Sequence, residues 1–97
     1  MTNVQFNSEG DDLFINGKKV IKAWESFSGW YWFATEKAHT QDSIINDRVV
    51  ENDQIWYGLV QGLEEEWGYF SQAELESMKH RVWRIPKINL PFSGRRQ

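Results

Sequence analysis

Gly29-Trp30-Tyr31-Trp32-Phe33-Ala34-Thr35-Glu36 is the stretch on which the fold turns. Its aromatic residues favour a strand, but they do not alternate with polar ones. A half-solvated strand alternates apolar and polar side chains, whereas a strand covered on both faces does not. Trp30 and Trp32 point one way and Tyr31 and Phe33 the other. Gln54-Ile55-Trp56-Tyr57-Gly58-Leu59-Val60 repeats the pattern, with Ile55, Tyr57 and Leu59 opposed to Trp56 and Val60. Two such strands predict a sheet that needs cover on both sides.

Working outward, Asp12-Leu13-Phe14-Ile15 and Lys18-Lys19-Val20-Ile21-Lys22 flank Asn16-Gly17. Both turn residues tolerate positive φ, so this pattern predicts a hairpin with a type I′ turn. Residues 1–10 are polar and are expected to be flexible and frayed. Lys37 to Asp53 is a largely polar stretch. It reads either as a short hairpin, Ile44-Ile45 and Arg48-Val49-Val50 around Asn46-Asp47, or as a mobile loop. Gly62-Leu63-Glu64-Glu65-Glu66 is a turn with three successive carboxylates, and Trp67-Gly68-Tyr69-Phe70 is a short strand.

Ser71-Gln72-Ala73-Glu74 is a capping box. The Ser71 hydroxyl can accept from the Glu74 amide while the Glu74 carboxylate reaches back, and Phe70 with Leu75 forms the hydrophobic staple. Leu75, Met78 and Val82 fall on one face at helical spacing, predicting a helix over about 72–80. Lys79, His80 and Arg81 then sit at the negative end of its dipole. Val82-Trp83-Arg84-Ile85 is a final edge strand, stopped by Pro86. A helix this short shields one face of a small sheet. The second face is left to a rolled sheet closing on itself, to the long loop and C-terminal segment, or to a partner.

Six Trp, three Tyr and six Phe in 97 residues supply the apolar mass that a single small domain needs. No cysteine is present, which excludes a disulfide scaffold and thiolate metal sites and fits a reducing cytoplasm. The longest apolar runs fall well short of a membrane span, and the start Met1-Thr2-Asn3-Val4-Gln5-Phe6 has no signal-peptide character. Cytoplasmic location without membrane contact is the expectation. Net charge is only -3, but it is polarised. All 14 acids lie in residues 1–76, which carry -9, while the last 21 residues carry +6 through Lys79, Arg81, Arg84, Lys87, Arg95 and Arg96. The basic end either folds back on the acidic body or meets a partner.

Catalytic signals are thin. His39 with Asp42 is a generic pairing, adjacent carboxylates in a turn are usually solvated, and Ser71 is accounted for by capping. No enzyme, no metal and no cofactor are expected. Two binding readings compete. In the first, exposed aromatics and carboxylates, with Trp24, Phe27, Glu64, Glu65 and Glu66 as the candidates, bind a basic protein partner; the acids speed association and the rings supply affinity. In the second, Lys79, Arg81, Trp83, Arg84, Arg95 and Arg96 contact nucleic acid, with Trp83 stacking between arginines. The acidic sheet region counts against the second, because phosphate binding is dominated by electrostatics.

Tyr57-Gly58-Leu59-Val60-Gln61-Gly62-Leu63-Glu64-Glu65-Glu66-Trp67-Gly68-Tyr69-Phe70-Ser71-Gln72-Ala73-Glu74-Leu75-Glu76-Ser77, with the earlier Ser28 to Glu36, resembles a family of small proteins described only as a domain of unknown function. That family occurs on phages, conjugative plasmids and other mobile elements. The resemblance implies a mobile-element origin and a small α+β fold, and brings no catalytic residue with it.

The expectation is therefore one domain over residues 1–97 with a basic tail at 93–97. Its fold is α+β, a twisted or rolled antiparallel sheet of four to six strands with one C-terminal helix packed on it. Its expected role is that of a non-enzymatic accessory protein, monomeric or homodimeric, that binds a protein partner.

Overall fold

The structure, a computed structural model, describes residues 4–86. Among them the order is β1 (Phe6–Glu9), β2 (Asp12–Ile15), β3 (Lys18–Lys19), β4 (Lys22–Ser26), β5 (Tyr31–Ile45), β6 (Arg48–Gln61), β7 (Glu65–Ser71), α1 (Gln72–Glu76) and β8 (Val82–Arg84). Every pairing is antiparallel. The strands form a three-stranded sheet, β1-β2-β3, and a five-stranded sheet, β7-β6-β5-β4-β8. The antiparallel, sheet-dominated expectation holds. The expected twisted or rolled sheet of four to six strands corresponds to the five-stranded sheet alone, which is not closed; the eight described strands divide between two sheets.

That division answers the problem of the two apolar faces. On one face of the large sheet, Phe33, Leu59 and Ala23 pack with Leu13 and Ile15 of the small sheet, together with Val20, just after β3, and Ile85. On the other, Trp24, Ala34 and Trp56 pack with Leu75 of α1 and with Val82. The small sheet is the missing cover, and α1 is the expected one. Each fully buried aliphatic or Phe side chain contributes about 1.5–3 kcal/mol over an exposed one.

Several local expectations need correction. Residues 1–10 are not frayed throughout, since β1 pairs with β2 from Phe6↔Ile15 to Glu9↔Asp12. Phe6 meets Phe33 edge-on at 5.8 Å, and the Gln5 amide donates to the Asn16 side chain at 2.8 Å. The Asn16-Gly17 turn has the expected positive φ at both residues, 52° and 82°. Residues 37–53 are neither a loop nor merely a short hairpin. β5 and β6 run through them as strands of 15 and 14 residues. They turn at Asn46 and Asp47, which have φ of 54° and 64°. Register shifts between Ala34 and Glu36, Lys37 and His39, and Gln41 and Ser43 bend this long hairpin.

The helix is shorter than predicted, five residues instead of 72–80. Ser77 terminates it, donating its hydroxyl to the Glu74 carbonyl at 2.7 Å. The Met78 carbonyl then accepts both Arg81 and Val82 amides, turning the chain into β8. Leu75, Met78 and Val82 do meet in one cluster, but Val82 arrives there on a strand. Lys79, His80 and Arg81 lie in the connection, and α1 has no basic residue in its last turn. Phe70 and Leu75 share the cluster, as the staple requires.

Half of the capping box is formed: the Ser71 hydroxyl accepts the Glu74 amide at 3.0 Å. The carboxylate at the helix start is that of Asp53, not Glu74. Asp53 is 2% exposed and receives the Ala73 amide at 2.9 Å, the Ser43 hydroxyl at 2.8 Å and the Ser71 hydroxyl. Three donors compensate a buried carboxylate that would otherwise be costly. This knot fixes α1 against the bent hairpin.

Candidate partner-binding surface

The β4–β5 turn and the β6–β7 turn lie at the same end of the large sheet, because Tyr31 pairs with both Glu25 and Gln61, and Gln61 with Glu65. The first turn is held by Ser26. Its hydroxyl accepts the Trp30 amide at 3.0 Å, its amide donates to the Trp30 carbonyl at 2.9 Å, and its carbonyl accepts the Gly29 amide at 3.0 Å. Gly29 supplies the positive φ of 92° that closes the loop. Phe27 stands out of this rigid turn, 70% exposed, with its amide bonded to the Arg81 carbonyl at 2.9 Å.

Trp30 leans across to the second turn and lies over Gly62. A Cβ added to Gly62 would sit 2.5 Å from the indole ring, so only glycine lets the ring settle there. The ring also packs against Trp32 at 6.0 Å. Beside it, Trp30, Val60, Leu63, Glu64 and Glu66 line an open groove of about 240 Å³. Leu63 is 93% exposed at its rim. Phe27, Trp30 and Leu63 thus place apolar groups at one end of the sheet, with Glu64 and Glu66 among them. That is the composition of an interface anchor with a charged rim.

The predicted residues separate clearly. Phe27, Glu64 and Glu66 are brought to this end. Glu65 points to the opposite face from Glu66 and accepts from the Gln61 side chain. Trp24 does not belong to the surface: it is 1% exposed and meets Phe70 edge-on at 5.9 Å. Its alternation within β4 turns it toward α1, while Phe27 escapes because the strand has ended at Ser26. Lys79, Arg81, Trp83 and Arg84 lie in and beside β8, at an edge of the large sheet. All four are exposed, and the three basic ones form no ion pair among the described residues. Arg95, Arg96 and the basic tail at 93–97 lie outside the described residues.

Trp30 and Leu63 were not singled out by sequence reasoning. Trp30 reads as part of a strand, and its role follows from Gly62 across the sheet. Leu63 carried a signal, a lone aliphatic residue set inside an acidic turn. Elsewhere, the His39 ring shares a hydrogen bond with Gln41 at 3.0 Å, while Asp42 accepts the Asn52 amide at 3.1 Å. Among the described residues no group of three His, Asp or Glu side chains is placed to hold a metal ion. Nor is any helix among them long and apolar enough to cross a membrane.

No protein-family model, no curated protein and no solved structure matches this chain.

Proposed function

We propose that this chain is a non-enzymatic, cytoplasmic accessory protein that binds a basic protein partner through the end of the sheet carrying Phe27, Trp30, Leu63, Glu64 and Glu66. The observation that supports it most is the exposure of Phe27 and Leu63, at 70% and 93%, on turns at one sheet end. Burying such groups is favourable only when another surface covers them. Carboxylates around them steer a basic partner and repel nucleic acid. The resemblance to proteins of phages and other mobile elements fits an inhibitor or modulator of a host factor.

The test is affinity capture by the tagged full chain from nuclease-treated host lysate. The same capture is run with the combined Phe27→Ser, Leu63→Ser, Glu64→Gln, Glu66→Gln variant. A protein retained by the wild type and lost by the variant supports the reading. A partner retained equally by both overturns it.

A second reading rests on Arg81, Trp83 and Arg84, which are exposed with no ion pair among the described residues. It is a nucleic-acid contact, with Trp83 as a stacking group. Retention of single-stranded nucleic acid that falls steeply with salt, and is lost in Arg81→Gln, Arg84→Gln, would favour it over the first.

A further inference from the structure

Four strands stand at sheet edges, and three are poor templates for another strand. β3 is two lysines, β8 is three residues halted soon after by Pro86, and β1 is four residues. The distal half of the β5–β6 hairpin is broken by register shifts and by Asn52 at a φ of 59°. Short length, lysine, proline and bulges are the usual means by which proteins blunt sheet edges. β7 has none of these four, and its charged residues, Glu65 and Glu66, are confined to its first two positions. It is seven residues long, pairs with β6 without a register shift, and contains neither Lys nor Pro.

The direction of its backbone groups follows from the turn. The Gly62 amide donates to the Glu64 carbonyl at 3.1 Å, which makes Gln61↔Glu65 a pair whose own backbone groups point away from each other. Alternation then turns the amides and carbonyls of Glu65, Trp67 and Tyr69 outward, away from β6. Among the described residues nothing takes the outward amides of Trp67 and Tyr69.

The side chains beside this edge state what kind of strand fits it. Glu64 and Glu66 stand exposed at its head. Further along, the Lys18 ammonium lies 5.9 Å from the Tyr57 ring and 5.6 Å from the Trp67 ring. The chain's own cation thus takes the Tyr57 and Trp67 part of this aromatic row. Tyr69 continues the row, 5.1 Å from Tyr57, and is 69% exposed. On the opposite face Gly68 leaves open space, with nothing within 4 Å of an added Cβ.

We infer that β7 is a docking edge for an extended segment of a basic protein, which adds to the large sheet as a further strand. Its Lys or Arg side chains, at every second position, share the face of the exposed Tyr69 ring, and its alternate apolar residues cover the space at Gly68. This rests on the proposed function and gives the partner its chemistry: an extended, alternating basic and apolar peptide, held by main-chain hydrogen bonds and selected by charge.

The probe is a labelled seven-residue peptide of alternating Lys and Val, the length of β7, titrated against the full chain by fluorescence anisotropy. Two further peptides carry backbone N-methyl groups, on the lysine amides in one and on the valine amides in the other. Both keep the full charge, yet only one set of amides faces β7 in an added strand. The expected result is binding of the parent peptide, a tenfold or greater loss with one methylated peptide, and little change with the other. Equal binding of the two overturns strand addition. In the protein, Tyr69→Pro removes an outward amide at a position where an edge strand tolerates proline. It should weaken binding at least tenfold, whereas Tyr69→Phe should not. If β7 instead pairs with a second copy, sedimentation shows a dimer that Tyr69→Pro dissolves and the peptide fails to bind, and the inference falls. A captured partner that binds Tyr69→Pro as tightly as wild type, yet is lost on changing Phe27 and Leu63, removes β7 and leaves the proposed function standing.

Discussion

The buried carboxylate of Asp53 accepts the hydroxyl of Ser71, tying the middle of β6 to the residue that caps α1. The same carboxylate takes the Ala73 amide and the Ser43 hydroxyl. One side chain therefore holds the helix start and the bend of the β5–β6 hairpin together. Removing it takes the acceptor from three donors, all on half-buried residues.

Asp53→Ala is expected to destabilise the fold by about 3–5 kcal/mol, measured by urea denaturation, because half-buried donors lose a charged acceptor. Ser71→Ala should cost about 1–3 kcal/mol, combining a lost cap with a lost partner for Asp53. Glu74→Gln should be almost silent, since the Glu74 carboxylate makes no hydrogen bond or ion pair among the described residues. An Asp53→Ala protein as stable as the wild type would show that the knot does not hold α1.

Gly58 and Gly68 face each other across β6 and β7 but should respond oppositely to alanine. A Cβ on Gly58 would lie 1.9 Å from the Phe33 carbonyl oxygen, a backbone atom that cannot move aside cheaply. Gly58→Ala is expected to cost at least ~3 kcal/mol through overpacking and strain. Gly68→Ala meets nothing within 4 Å and should be neutral or slightly stabilising. Thermal melts of the two variants settle the comparison.

Trp24 and Phe27 are three positions apart, one in the core and one in solvent. Trp24→Ala should lose about 3–5 kcal/mol of stability. Phe27→Ala and Leu63→Ala should stay within about 0.5 kcal/mol of the wild type, as exposed substitutions do. Comparable losses for Trp24 and Phe27 would mean that Phe27 is covered in solution.

For a basic partner, Glu64→Gln with Glu66→Gln should slow association several-fold at low salt and leave dissociation nearly unchanged. Stopped-flow binding at two ionic strengths reads both. The difference should shrink as salt rises, because exposed charges are screened. An on-rate indifferent to the substitutions and to salt would remove the steering role of these carboxylates.

Part of this architecture was legible from residue order. Type I′ chemistry at Asn16-Gly17, the Ser71 cap and the unalternating strands at Trp30–Phe33 and Ile55–Val60 rest on local sterics or on the period of two, both of which sequence displays directly. The tip of the long hairpin at Asn46-Asp47 was one of two readings, but its length was not legible, because the two strands are solvated along much of 37–53. The helix end at Ser77 was hidden as well. Leu75, Met78 and Val82 have helical spacing, yet Val82 reaches the same cluster on a strand.

The sequence by itself determined that both faces of the central strands must be covered, since their aromatic and aliphatic groups fall on both sides. Only the tertiary structure decided what covers them. Phe6, Leu13 and Ile15 pack the N-terminal strands on the first sheet as a second one, although their neighbours are largely polar. It also decided that Phe27 and Leu63 share one end of the molecule while Trp24 faces α1. Such placements depend on contacts between residues far apart in the chain, where strand register and packing, rather than local preference, set which side chain meets water.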